Sequence, residues 1–188
     1  MLKKPRLIVI FGLIASGKTT LAQALGKSLN LPVVHSDIVR KALVGIPATQ
    51  RVEVPFGKGI YAPDVSGRTY QEMFRQAQEL LEAGGVAILE GSFMRAADRR
   101  QARELAAASQ AEIFFILCSC QAEETLRRLA RRATDTQAIS DGRQEILMAQ
   151  QEVFEPITDL HEVPVLILDT NRPLEDILEE TFSFLNPE

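Results

Sequence analysis

The chain has 188 residues, 46% of them hydrophobic and 24% charged, with a formal net charge of −4. That is the length of one domain with a full core and the composition of an ordinary globular protein. The acidic balance argues against a protein occupied mainly with long nucleic acid, and no apolar stretch approaches the ~18 residues of a membrane span.

Met1-Leu-Lys-Lys-Pro-Arg6 runs straight into an apolar strand candidate, residues 7–11. That run is too short for a secretion signal, so a cytoplasmic location is expected. Next comes Gly12-Leu-Ile-Ala-Ser-Gly17-Lys18-Thr19, which fits Gly-x-x-x-x-Gly-Lys-[Ser/Thr], and then an amphipathic helical pattern over 19–29. Strand, glycine-rich loop and helix in that order are what a phosphate-binding loop requires. The glycines let the backbone curl so that successive N–H groups point into one cavity. The helix start adds unpaired donors and partial positive charge. Lys18 is expected to reach the β- and γ-phosphates of a nucleoside triphosphate, and the Thr19 hydroxyl to hold Mg²⁺. Gly12, Ala15, Ser16, Gly17 and Thr20 complete the expected nucleotide cradle.

A second strand candidate, 33–35, is followed by Ser36-Asp37-Ile38-Val39-Arg40. Ligands of an α/β sheet gather at the carboxyl ends of its strands, so Asp37 should share a cleft with the phosphate loop. A carboxylate there can accept a proton from an attacking hydroxyl, hold Mg²⁺ through water, or cap a helix. Arg40, one turn later, would face the same way and could orient it. Residues 44–68 form an irregular stretch rich in Gly and Pro, where Pro47, Pro55 and Pro63 oppose a continuous helix. A loop that long is expected to shape a substrate pocket, with Lys58, Tyr61 and Arg68 as candidate contacts.

Tyr70, Met73, Phe74, Ala77, Leu80 and Leu81 share one helical face that stops at Gly84-Gly85. The third strand candidate, 86–90, ends in Glu90, which could contact an acceptor, reach the water shell of Mg²⁺, or cap the next turn. Arg95, Arg99 and Arg100 follow. One of them could reach an anionic substrate, though a solvated helix face is their commoner use. The fourth strand candidate, 113–118, leads to Cys118 and Cys120, the only two cysteines. They lack further ligands nearby and read as core residues. Arg127, Arg128, Arg131 and Arg132 are the densest basic cluster. With the polar residues 133–142 they suggest a lid, about 127–142, whose arginines stabilise a transferring phosphoryl group or simply face solvent. The last strand candidate is 165–168, with a helix starting near Pro173.

Alternating strands and helices imply a single α/β domain over 1–188, with a parallel sheet covered on both faces. The loop motif, Asp37-x-x-Arg40, Glu90 and the arginine-rich lid together resemble the small P-loop kinases of the AAA-domain and zeta-toxin-like group. Gluconate kinases, polynucleotide 5′-hydroxyl kinases and the ATP-binding domain fused to aminoglycoside-phosphotransferase-like proteins are similar in pattern. The resemblance implies a three-layer P-loop NTPase fold with a five-stranded 2-3-1-4-5 sheet. It implies ATP and Mg²⁺, with Thr19 and Asp37 on the metal side. Asp37 would be the general base, Arg40 its orienting arginine, Arg132 the catalytic lid arginine and Arg128 a nucleotide contact. Glu90 departs from the usual Asp, and residues 150–156 are similar to a Gln-x-x-x-Glu segment of gluconate kinases. Adenine would lie near residues 169–173. The expected activity is phosphoryl transfer from ATP to a hydroxyl of a small-molecule acceptor. A polynucleotide 5′-hydroxyl kinase, for which nucleic acid would be the partner, and a non-catalytic ATP-binding switch are the alternatives.

Overall fold

The computed structural model describes residues 4–133 and 144–186, and of residues 132 and 133 the backbone alone. Five strands, β1 (Arg6–Phe11), β2 (Val33–His35), β3 (Val86–Glu90), β4 (Glu112–Ser119) and β5 (Val165–Asp169), form one sheet in the order β2-β3-β1-β4-β5. Every pairing is parallel. The helices are α1 (Lys18–Leu29), α2 (Ser36–Leu43), α3 (Pro63–Glu82), α4 (Ala96–Ala108), α5 (Ala122–Ala133), α6 (Gln144–Val153) and α7 (Leu174–Leu185). The expected order of strands is the observed one.

The continuous apolar runs have a direct cause. On β1, Leu7, Val9 and Phe11 join a core with Met73 and Ala77 of α3 and Ala102 and Ala106 of α4. The alternating Ile8 and Ile10 join the opposite core with Leu21 and Leu25 of α1 and Ile177 of α7. A strand buried on both faces has no polar positions to spare. A smaller cluster packs Ile14 and Ala15 of the glycine-rich loop against Leu129 of α5 and Ile146 and Leu147 of α6.

Two expectations change. The irregular stretch ends at residue 62, because α3 starts at Pro63 rather than beyond Arg68. Proline has no N–H to lose and a fixed φ, so it suits the first helical position. Arg99 is fully buried, not on a solvated face. It falls in register with Ala102 and Ala106, whose small side chains leave room for it. Its guanidinium donates to Asp159 (2.6 Å) and to the carbonyls of Phe93 (2.9 Å), Met94 (3.2 Å) and Pro156 (2.8 Å). Glu155 joins the same seam, accepting from the Ala96 N–H and donating its own N–H to the Met94 carbonyl. Arg99→Ala would strand the Asp159 carboxylate and is expected to cost about 3 kcal/mol of stability, measurable by urea unfolding.

The cysteines are free, Cys118 buried and Cys120 partly exposed. Burial pushes the Cys118 thiol up to about 12. At pH 8 only on the order of 10⁻⁴ of it is thiolate. A native-state alkylation assay is therefore expected to label Cys120 alone, with Cys118 reacting once the chain is unfolded. Among the described residues no group of three or more His, Cys, Asp or Glu is placed to hold a metal.

Candidate active site

The site stands at the carboxyl ends of β1, β2 and β3. Gly12 (φ 139°), Ala15 (φ 59°) and Gly17 (φ 92°) turn the loop after β1 through left-handed conformations. Such reversals aim neighbouring N–H groups into one concavity. Glycine is required twice. A Cβ on Gly12 would stand 2.5 Å from the Cys118 carbonyl oxygen, and one on Gly17 2.9 Å from the Thr170 side chain. Gln150 of α6 braces the loop tip by accepting the Ile14 N–H at 2.8 Å. Lys18 Nζ donates to the Leu13 carbonyl at 2.7 Å, so the ammonium lies across the loop.

Beside it is a cavity of about 190 Å³ lined by Lys18, Thr19, Asp37, Arg40 and Glu90, among others. The parallel register pairs Glu90 with Ile10 on one side and with His35 on the other. Both Glu90 and His35 are buried. One carboxylate oxygen of Glu90 is 2.9 Å from His35 Nδ1, and the other is 3.5 Å from Thr19 Oγ1. Asp37 and Arg40 face each other across one turn of α2, with Oδ1 3.9 Å from Nε. Arg40 is 7% exposed. Its guanidinium lies over the Tyr61 ring at 4.9 Å and donates to the Ile60 carbonyl (3.1 Å) and Ser66 Oγ (3.0 Å). That arginine therefore ties the irregular stretch to α2.

The far wall comes from α3, the turn after β3 and the start of α4. Tyr70, Ser92, Arg95 and Asp98 line it. The Tyr70 hydroxyl accepts the Phe93 N–H at 2.9 Å, and burial pushes it up to about 12. It is therefore a neutral phenol at working pH and not a base. Burial also raises the Asp98 carboxyl above its usual range, against the pull of Arg95 and Arg99. Phe93 is buried with φ 41°, a strained position for a side chain of that size. The Tyr70 hydroxyl and Arg99 hold its two backbone polar groups.

A second cavity, about 620 Å³, opens behind the loop and is lined by Thr20, Arg128, Arg131, Thr170 and Arg172. Arg128 donates to the Thr170 hydroxyl (2.9 Å) and carbonyl (2.6 Å) and to Glu124 (3.1 Å). The Thr170 hydroxyl also lies 2.8 Å from the Ser16 carbonyl. The buried Ser16 Oγ makes no hydrogen bond among the described residues.

One cavity thus gathers Ala15, Gly17, Lys18, Thr19, Asp37, Arg40, Tyr61, Glu90 and Arg95 from the sequence-derived candidates, while Thr20 and Arg128 stand at the other. Lys58 and Arg68 are exposed and line neither. The Arg132 side chain and lid residues 134–142 lie outside the described residues. Sequence reasoning missed His35, Ser66, Tyr70, Ser92 and Asp98. Asp98, in the first turn after the strand-end residues 90–95, had the plainest local signal.

Residues 7–157 match the family model described as AAA domain. An uncharacterised protein of Mycobacterium tuberculosis is 30% identical over 144 residues, which is 77% of this chain and 28% of that protein. The chain thus spans about a quarter of that relative's length. A solved structure from Chloroflexus aurantiacus aligns with a TM-score of 0.73 at 21% identity, covering 98% of this chain and 100% of that one. A gluconokinase from Sinorhizobium meliloti aligns with a TM-score of 0.66 at 19% identity, covering 97% and 93%. These last two likenesses speak for the fold. On the strength of the family match, with its glycine-rich loop and 2-3-1-4-5 sheet, this chain belongs to the AAA domain family and has a P-loop kinase-like fold.

Proposed function

We propose that the protein is an ATP-dependent kinase that phosphorylates a hydroxyl of a small-molecule acceptor. The observation that carries this reading is the Asp37–Arg40 pair, at 3.9 Å, facing the same cavity as Lys18 and Thr19. A nucleotide switch needs the loop but has no use for a proton acceptor beside it. The gluconokinase likeness points the same way.

The residues fit a magnesium–triphosphate ligand. The loop turns through positive φ at Gly12, Ala15 and Gly17, and the Thr19 hydroxyl and Glu90 carboxylate stand together at 3.5 Å. Few protein ligands are needed, since Mg²⁺ usually keeps waters and takes substrate phosphates as partners. When bound, the ion neutralises charge on the phosphate oxygens. Thr19 and Glu90 would hold it, with Asp37 reaching it through water. Lys18 and the loop N–H groups would bind the β- and γ-phosphates. The larger cavity beside Arg128 and Arg172 suits the base. Asp37 would take the proton from the acceptor hydroxyl as its oxygen bonds to the γ-phosphorus and the bond to the β-phosphate oxygen breaks. Arg40, 3.9 Å away, would keep that carboxylate aimed. Arg132 is assigned to the transferring group through the family resemblance.

Tyr70, Ser66, Ser92 and Asp98 offer hydrogen bonds suited to a polyhydroxyl acceptor. A cavity of about 190 Å³ and a net charge of −4 both favour a small acceptor over an oligonucleotide. The test is an ATP-consumption screen over sugars, sugar acids, nucleosides, antibiotics and 5′-hydroxyl oligonucleotides, scored against hydrolysis without acceptor. Transfer to a small alcohol is expected. ATP turnover that no acceptor raises above that background would overturn the reading.

A further inference from the structure

We infer that His35 is a positioning residue for metal binding: its Nδ1–H anchors one oxygen of Glu90 so that the other faces Thr19. This rests on the reading of Glu90 as the metal-side carboxylate.

The backbone builds the contact. His35 is the last residue of β2 and lies directly opposite Glu90, the last of β3, in parallel register. Both side chains are buried, and Nδ1 is 2.9 Å from Oε2. An ionised carboxylate only accepts, so the proton belongs on Nδ1. The remaining oxygen, Oε1, is the one 3.5 Å from Thr19 Oγ1. Among the described residues these are the hydrogen-bond partners of the Glu90 carboxylate. Without His35 the remaining hold on that carboxylate among the described residues is the long contact to Thr19. A glutamate has several torsions to lose, and a fixed donor selects the rotamer beforehand. A buried histidine with no such duty could be satisfied by any backbone carbonyl. This one instead links β2 through β3 to Thr19 at the start of α1. Second-layer partners of this kind typically alter metal affinity 10–100-fold when removed.

The experiment measures ATP affinity of the full chain by calorimetry, once with EDTA and once with Mn²⁺. The ratio of the two affinities is the metal-dependent gain, and by linkage it reports how well the protein–ATP complex holds the ion. His35→Ala is expected to shrink that gain about tenfold while leaving metal-free ATP affinity within about twofold of the starting value. His35→Asn, which keeps an N–H near the Nδ1 position, should recover most of it. In a Glu90→Gln background, His35→Ala should cost no further gain. Should His35→Ala fail to fold, His35→Leu fills the volume without a donor and takes its place. An unchanged gain in the folded variant overturns the inference. So does an equal fall in metal-free affinity, which would mark a merely structural role, or an Asn variant no better than Ala. If the unaltered protein binds ATP with no metal-dependent gain, the Glu90 reading goes first and this one with it.

Discussion

Lys18→Ala is expected to lower phosphotransfer about 10²–10³-fold and to weaken ATP binding measured by calorimetry with Mg²⁺. The argument is geometric. Lys18 is the first residue of α1, directly after Gly17, whose left-handed φ of 92° turns the chain into the helix. Its ammonium already lies across the loop at the Leu13 carbonyl, beside the N–H groups that line the concavity. Alanine removes that charge while keeping a good helix former, so the fold should survive. Far-ultraviolet circular dichroism should therefore match the unaltered protein. If ATP binding and turnover also match, the loop does not grip the triphosphate in the way argued above.

Asp37→Asn is expected to slow transfer to the acceptor about 10²–10⁴-fold with ATP affinity kept. The amide has nearly the same shape, and Asp37 stands at the second position of α2, away from the loop itself. What the change removes is the negative charge that makes the side chain basic enough to take the proton. The acceptor found in the screen supplies the assay, and calorimetry supplies the binding control. Full turnover in the Asn protein would take Asp37 out of the base role. Loss of ATP binding would mean that the carboxylate serves the nucleotide instead. The Arg40 contact sharpens the expectation, because a buried guanidinium held by Ile60, Ser66 and the Tyr61 ring has little freedom to seek another partner.

Much of this site could be read in the chain because it is local. Strand, loop and helix around residues 7–29 are contiguous, so one window contains the whole device. Asp37 and Arg40 are one helical turn apart, a spacing that needs no tertiary knowledge. The sheet order came from resemblance, not from spacing. What stayed hidden depends on neighbours far along the chain. His35 meets Glu90 only because β2 lies beside β3, and Arg99 meets Asp159 only because the segment after α6 crosses the start of α4. No periodicity announces either pair. Lys58 and Arg68 belong to residues 44–68, whose side-chain directions no sequence pattern determines. Pro63 gave the missing clue for Arg68: as a helix start it makes that residue part of α3, where it faces solvent.

The resting place of the Lys18 ammonium bears on which anions the loop can select. Where an arriving ligand draws the ammonium off the Leu13 carbonyl, 2.7 Å away, it exchanges one partner for another. The net gain is a difference between two charge-assisted contacts. A singly charged oxyanion offers little more than the carbonyl does, whereas a polyphosphate offers several oxygens and more charge. Self-engagement of this kind therefore acts as a threshold, favouring ligands of high charge density over the abundant small anions of the surrounding solution.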